Sequence, residues 1–119
     1  MIYEQKTGKM TTDIGSLIGF GYAGHGEGKN NPEKENVKNI GPLPKGKYKI
    51  GEPYNSSNTG NFTLPLTPFP ENEMFGRTDF KIHGDSIDQP GTASHGCIIM
   101  SKSIREEIHN STDKILTVM

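Results

Sequence analysis

The chain has 119 residues, of which 30 % are hydrophobic, and a net charge of −1. This length fits one domain with a single core, and the only cysteine excludes an internal disulfide. Near-neutral, interleaved charges give no electrostatic case for nucleic acid or a membrane surface, and no apolar run approaches the ~18 residues that span a bilayer. The N-terminal stretch MIYEQKTGKMTTD lacks the apolar core of a secretion signal, so the sequence predicts no standard export.

The first forty residues alternate candidate strands with turns. Residues 3–5 and 9–12 flank Thr7-Gly8, a pattern that predicts a tight hairpin. The apolar stretch SLIGFGY, residues 16–22, contains two glycines, which predict a close backbone approach or a bulge. Residues 24–39 are polar and rich in glycine and asparagine, so they predict a long loop of the kind that often carries function.

The middle of the chain predicts three more strands. Residues 47–51 alternate polar and apolar side chains, as a half-buried strand does. Residues 61–66, NFTLPL, predict an edge strand, because Pro65 has no N–H to donate inside a sheet. Residues 78–83, TDFKIH, alternate again and predict a strand that ends at a histidine.

The last part of the chain predicts one helix and a closing strand. Ser103 and Glu106 form a capping-box pattern, which predicts a short helix over residues 104–109. Residues 114–119, KILTVM, follow as a final strand. Many short strands with one helix predict a mainly β fold, a sandwich or barrel, whose single short helix follows Cys97.

The stretch FKIHGDSIDQPGTASHGCIIM, residues 80–100, carries the strongest chemical signal. His83 ends a predicted strand, and Cys97 follows a run of small residues that is poor material for a core. A catalytic thiol needs a neighbouring imidazole, some exposure, and main-chain amides aimed at the developing oxyanion. We therefore expect His83 to be a base, Cys97 a nucleophile, and the amides of Gly96 and Cys97 oxyanion donors.

Other interpretations of the same residues stay open at this point. A lone cysteine is often an inert, small hydrophobe. Tyr22, His25 and Asp85 are candidate substrate contacts, although a packing aromatic, a loop histidine and a turn residue are the simpler interpretations. A metal site is the chemical competitor, since good zinc ligands lie close together in the sequence at His83, Asp85, His95 and Cys97.

The motif I-H-G, a gap, then S-H-G-C-I-x-M resembles the signature of L,D-transpeptidases of the YkuD type. The segments GFGYAGHGEGKNNP, NIGPLPKGKYKIGEPY, TLPLTP, MFGRTDFKIHGDS and ASHGCIIM follow in the order seen in a compact branch of that superfamily. That branch resembles the peptidoglycan-targeting toxins that Gram-negative bacteria deliver by type VI secretion. The resemblance covers nearly the whole chain and implies a YkuD-like β-sandwich, as one L,D-transpeptidase-like catalytic domain over residues 1–119.

Carried over by position, the resemblance makes Cys97 the nucleophile and His83 the general base. It implies that Gly84 offers a backbone carbonyl to orient the imidazole. It also implies that the oxyanion pocket and the cysteine turn are shaped by Ser94, His95 and Gly96.

Two departures from the family pattern bear on substrate binding. Many members carry arginine two residues after the cysteine, where this chain has Ile99. Arg77 is our candidate for the substrate carboxylate instead, with an ion pair to Asp79 or Glu73 as the alternative. The spacing of 14 positions between the two catalytic candidates is short for the family and implies a trimmed loop over the site.

The activity that the resemblance implies is modification of peptidoglycan tetrapeptide stems through a Cys97 thioester. The enzyme would cleave the L,D bond between diaminopimelate and the terminal D-Ala, or exchange D-Ala for other free D-amino acids. No cofactor and no metal are implied, and a monomer is expected. The alternatives are a non-catalytic peptidoglycan-binding module and a zinc-dependent cell-wall amidase or peptidase.

The resemblance also implies where the protein acts and what it meets. An antibacterial effector of this kind would act in the periplasm of a target Gram-negative cell. Dedicated secretion machinery would export it, and a component of that machinery is an expected partner. The producing cell would need a periplasmic immunity protein that blocks the site.

Overall fold

The computed structural model describes all 119 residues and is built mainly from short strands. One α-helix, α1 (Lys102–Asn110), follows the ninth strand, and two 3₁₀ turns lie at Gly26–Gly28 and Pro32–Lys34. The mainly β fold with one short helix after Cys97 is therefore confirmed. The strands are β1 (Ile2–Tyr3), β2 (Lys9–Thr11), β3 (Leu17–Phe20), β4 (Tyr22–Ala23), β5 (Gly46–Ile50), β6 (Tyr54–Ser56), β7 (Gly60–Pro68), β8 (Lys81–His83), β9 (Ile98–Ile99) and β10 (Ile115–Val118).

Nine strands form one hydrogen-bonded path in the order β3-β2-β1-β10-β5-β7-β8-β9-β4, and β6 pairs with β7 beside it. The pairs β1–β10 and β8–β9 are parallel, and the others are antiparallel. The two ends of the path, β3 and β4, are joined through Gly21 alone, so the strands return on themselves as in a barrel. Gly21 has to be glycine here, because a Cβ would lie 2.1 Å from the carbonyl oxygen of Ile99.

The core determines which face of the sheet carries the site. Sixteen buried hydrophobic residues form one cluster, which includes Ile82 of β8 and Ile98 of β9. These two isoleucines are register partners. Because side chains alternate along a strand, the residues on either side of them, among them His83 and Cys97, project to the other face.

Several local predictions are confirmed. Strands β1 and β2 form the predicted hairpin, and β5 and β10 lie within the predicted ranges 47–51 and 114–119 to within one residue. The strand predicted over 78–83 is shorter and covers only Lys81–His83. Asp79 has a φ of 71°, which is incompatible with a strand, so pairing begins after it. The single α-helix has nine residues and is too short and too polar to cross a bilayer.

The predicted capping box is wrong. The helix begins two residues earlier than predicted, with Ser101 as its N-cap, and the side chain of Ser101 accepts a hydrogen bond from the amide of Ile104. Ser103 therefore lies inside the first turn, where it cannot cap.

The predicted edge position of residues 61–66 is also wrong. Strand β7 is central, with β5 on one side and β8 on the other. The amide of Gly51 donates to the carbonyl oxygen of Pro65 at 2.9 Å, one residue beyond the end of β5. Pro65 therefore lies where the pairing between β5 and β7 ends. A missing N–H at that point costs no hydrogen bond inside the β5–β7 ladder, so a central strand can contain this proline.

Candidate active site

His83 ends strand β8, Cys97 directly precedes the neighbouring parallel strand β9, and both residues line one groove. His83 is the register partner of Ile99 in β9, and Cys97 directly precedes β9. The two side chains are thus diagonal neighbours on one face of the sheet. The groove, which we call the Cys97 groove, has a volume of about 460 Å³, and its lining includes Arg77, Asp79, Lys81, His83, His95 and Cys97.

The imidazole of His83 is buried and oriented by one main-chain contact. Its side chain is 5 % exposed, and its Nδ1 lies 2.8 Å from the carbonyl oxygen of Gly84. A carbonyl can only accept, so Nδ1 carries the proton and Nε2 is left with the lone pair. Burial lowers the pKa of His83, and the Gly84 carbonyl only partly opposes this. The imidazole is therefore neutral at pH 7 and able to take a proton through Nε2.

The thiol of Cys97 is protonated in this environment. The residue is partly exposed, and its Sγ lies 3.9 Å from the carbonyl oxygen of Asp79. Burial raises the pKa of Cys97, although the main-chain amide and the charge of Lys81 favour the thiolate. With a neutral thiol and a neutral imidazole in one groove, the base has to remove the proton when the thiol attacks.

Ser94 holds the turn that presents Cys97. It is fully buried, and its Oγ accepts hydrogen bonds from the amides of Gly24 and Gly96 at 2.8 and 3.0 Å. The same hydroxyl donates to the carbonyl oxygen of Cys97 at 2.6 Å. Because the amide of Gly96 is occupied, the expected pair of oxyanion donors reduces to the amide of Cys97, which has no partner within the protein.

Arg77 borders the groove but is held by main-chain carbonyls. Its side chain is 4 % exposed, and its Asp79 neighbour forms an ion pair with Lys81 at 2.9 Å instead. These contacts favour a role in positioning the cysteine turn, and the substrate contact that we expected stays a prediction. The guanidinium donates to the carbonyl oxygens of Glu35, Gly41, Pro42 and His95.

The two remaining loop histidines stack on each other. The rings of His25 and His95 have centroids 5.3 Å apart and an interplanar angle of 11°. His95 is exposed and lines the Cys97 groove, whereas His25 lies behind it with a buried Nδ1 that has no hydrogen-bond partner. His25 is therefore placed to support His95 rather than to touch a ligand in this groove.

Tyr22 and Asp85 lie outside the Cys97 groove and brace the loop between the two catalytic candidates. The hydroxyl of Tyr22 donates to Asp85 Oδ1 at 2.6 Å and accepts from the amide of Ala93 at 3.1 Å. Burial and this hydrogen bond raise the pKa of Tyr22 to about 12. The carboxylate of Asp85 also accepts from the amides of Ser86 and Gly91. Both side chains line a second, larger cavity.

Sequence reasoning missed Lys81 and the polar walls of the groove. Strand alternation could have found Lys81, because it lies two residues before His83 on the same face of β8. The walls come from distant loops and include Lys38, Asn39, Asn58 and Thr59. The predicted functional loop over residues 24–39 contains the first two, but no sequence signal marks the other two. No group of three or more His, Cys, Asp or Glu side chains is placed to share one metal ion.

Fold and site together define a mainly β domain with a cysteine and a neutral histidine in one groove. A family model described as the Tlde1 domain matches residues 19–118, a range that contains every candidate site residue. The chain belongs to this family, which is a type VI secretion effector family of L,D-transpeptidase-like proteins. Neither the curated proteins nor the solved structures gave a significant match.

Proposed function

We propose that the protein is an antibacterial effector that trims peptidoglycan tetrapeptide stems with Cys97 as nucleophile. It removes the terminal D-Ala from diaminopimelate or exchanges it for another free D-amino acid. The observation that carries this proposal is the shared groove of Cys97 and His83, with the imidazole neutral and fixed by Gly84. Membership of the effector family supports the biological setting.

The first half of the reaction forms a thioester and releases D-Ala. His83 Nε2 takes the proton of the Cys97 thiol while Sγ attacks the carbonyl carbon of diaminopimelate. The amide of Cys97 donates to the oxyanion that develops. The C–N bond then breaks, and the imidazolium of His83 returns the proton to the departing amine of D-Ala.

The second half depends on which nucleophile reaches the thioester. Water yields a tripeptide stem and restores the thiol, whereas the amine of a free D-amino acid yields a new amide bond. His83 accepts the proton of the incoming nucleophile and returns it to sulfur. A groove of about 460 Å³ admits water or a single amino acid more readily than a second stem. We therefore favour trimming and exchange over crosslinking.

The setting follows from the effector family. The protein acts in the periplasm of a target cell, where loss of D-Ala depletes the donors for crosslinking. It works as a monomer and as one catalytic domain. A periplasmic immunity protein that covers the Cys97 groove protects the producing cell.

Mass spectrometry of muropeptides tests this proposal. The native protein should convert tetrapeptides to tripeptides, and it should incorporate added D-Met in place of D-Ala. The Cys97→Ala variant should do neither, while the intact mass of the native protein should show a transient tripeptidyl adduct. Unchanged tetrapeptides with a folded native protein would overturn the assignment.

Two controls address the alternatives. A Cys97→Ala variant that stays fully toxic when directed to the periplasm would favour a binding module over an enzyme. A zinc amidase would release whole stems from the glycan and lose this activity with a chelator. Trimming that persists with the chelator and disappears with the cysteine supports the proposed chemistry.

A further inference from the structure

A second cavity adjoins the Cys97 groove. Its volume is about 810 Å³, and we call it the Arg105 pocket after one of its lining residues. Gly84, whose carbonyl holds His83, lines this pocket, and Thr59 lines both cavities. The two cavities are therefore neighbours, and the residue after His83 lines the second one.

Arg105 is a buried cation whose Nη2 atom has no hydrogen-bond partner within the protein. Its side chain is 6 % exposed, its Nε donates to the carbonyl of Met100, and its Nη1 donates to those of Asn61 and Phe62. Its Nη2 has no hydrogen-bond partner within the protein and lies 3.0 Å from the point that a Cβ on Gly84 would occupy. Arg77, the arginine of the Cys97 groove, differs from Arg105 because both of its Nη atoms donate to main-chain carbonyls. Only Arg105 therefore has an Nη atom without a protein partner.

No carboxylate of the chain forms an ion pair with Arg105, and the charge of Glu106 acts on it only from beyond ion-pair distance. None of the five ion pairs includes it. A buried charge without a counter-ion is costly, and a guanidinium with free N–H groups binds a carboxylate well.

The surroundings of the pocket add positive potential. Lys102 lines it, and the N-terminus of α1 at Ser101 contributes the positive end of a nine-residue helix dipole. The one carboxylate in the lining is Asp85, which is already bound by Tyr22 and by two loop amides.

We propose that the Arg105 pocket binds the α-carboxylate of the D-amino acid that leaves or enters during the reaction. This inference rests on the proposed function and deepens it. The departing amine has to lie beside His83, which protonates it, and its carboxylate is one carbon further from the scissile bond. The free Nη2 lies next to Gly84, the residue that follows His83. In exchange, the same contact orients the incoming D-amino acid, whose side chain meets the apolar Phe20, Ile87 and Ile99.

Binding can be tested without catalysis. Cys97→Ala protein is titrated with N-acetyl-D-alanine, and the amide of Gly84 and the Nε–H of Arg105 are followed by ¹⁵N NMR. We expect saturable shifts with this acid and none with N-acetyl-D-alanine amide. Lys102→Glu should weaken binding roughly tenfold, whereas Lys49→Glu, the same charge change on β5, should not. Equal shifts with acid and amide would overturn the proposal.

Activity then separates this proposal from the proposed function. A tetrapeptide with a free terminal carboxylate should turn over with a KM at least about tenfold lower than its C-terminal amide. Lys102→Glu should raise KM for the acid with little change for the amide. Equal turnover of both substrates overturns the carboxylate site and leaves the trimming activity standing. Binding of the acid with no turnover of either substrate overturns the trimming activity and supports the site.

Discussion

The Nδ1 of His83 lies 2.8 Å from the carbonyl oxygen of the next residue, Gly84. This contact fixes both the tautomer and the direction of the ring, because the carbonyl can accept only a proton-bearing nitrogen. A local main-chain group thus does what a carboxylate does in many catalytic triads. Since a carbonyl carries no charge, it does not stabilise the imidazolium as strongly as a carboxylate would.

The pH dependence of activity follows from the burial of His83. Burial lowers the pKa of this imidazole, so the acid limb of kcat/KM should lie below the ordinary value of about 6.5. The free energy of unfolding should also decrease as pH falls below about 6.5. The unfolded chain binds a proton at His83 there, whereas the folded protein binds it only at lower pH. An acid limb at pH 7 or above, measured with a tetrapeptide substrate, would contradict a neutral resting base.

Thiol alkylation reports the resting state of Cys97. Burial raises the pKa of this thiol, so iodoacetamide should react slowly at pH 7 and faster as pH rises beyond the ordinary value of about 8.5. His83→Gln should leave this profile nearly unchanged, because the proton is transferred only during attack on the substrate. A rate that is already at its plateau at pH 6 would reveal a preformed thiolate–imidazolium pair.

Removal of the Ser94 hydroxyl should loosen the cysteine turn. Ser94→Ala leaves the buried amides of Gly24 and Gly96 without an acceptor, at a cost of roughly 2–4 kcal/mol of folding free energy. Trimming activity should fall at least tenfold, because the Cys97 amide is no longer held in place. Thr7→Ala, which removes an exposed hydroxyl in the β1–β2 turn, is the control. It should change neither the folding free energy nor the trimming activity. Native activity and melting temperature in Ser94→Ala would show that the turn does not depend on this hydroxyl.

The catalytic candidates could be predicted because their signals are local. His83 follows an alternating strand, and Cys97 follows a run too small and polar for a core. Both signals depend on a few consecutive residues. The shared face of the two side chains also depends on the register of β8 against β9, which the sequence does not show. The predicted edge strand failed for the converse reason. The sequence shows that Pro65 lacks a donor but not that its partner strand ends beside it.

The roles of the two buried arginines could not be predicted from the sequence. Arg77 binds the carbonyl of Glu35, 42 positions away, and Arg105 binds that of Asn61, 44 positions away. Because every residue has a main-chain carbonyl, no pattern of side chains in the sequence predicts which carbonyls an arginine will bind. From the sequence, Arg77 is a candidate for the substrate carboxylate, with an ion pair to Asp79 or Glu73 as the alternative, and neither interpretation anticipates main-chain carbonyls as its partners.

Arg77→Lys distinguishes a positioning role from substrate binding. Lysine cannot reach four carbonyls at once, so we expect a loss of roughly 3 kcal/mol or more in folding free energy. The loss of activity should appear mainly in kcat, because the cysteine turn is displaced. An unchanged melting temperature with a raised KM would instead assign Arg77 to the substrate carboxylate.

Gly96→Ala should be the most damaging single-methyl change in the cysteine turn. Gly96 has a φ of 138°, and a Cβ there would lie 2.6 Å from Arg77 Nη2 and 2.8 Å from the ring of Phe80. Backbone strain alone costs about 1–3 kcal/mol, and the overlap with two buried groups adds to it. Gly15→Ala provides the control, since its φ is 88° and no atom lies within 4 Å of the added methyl. In thermal unfolding, Gly96→Ala should lose clearly more stability than Gly15→Ala, together with all trimming activity. Equal losses in the two variants would mean that the contact between Gly96 and Arg77 does not hold the nucleophile in place.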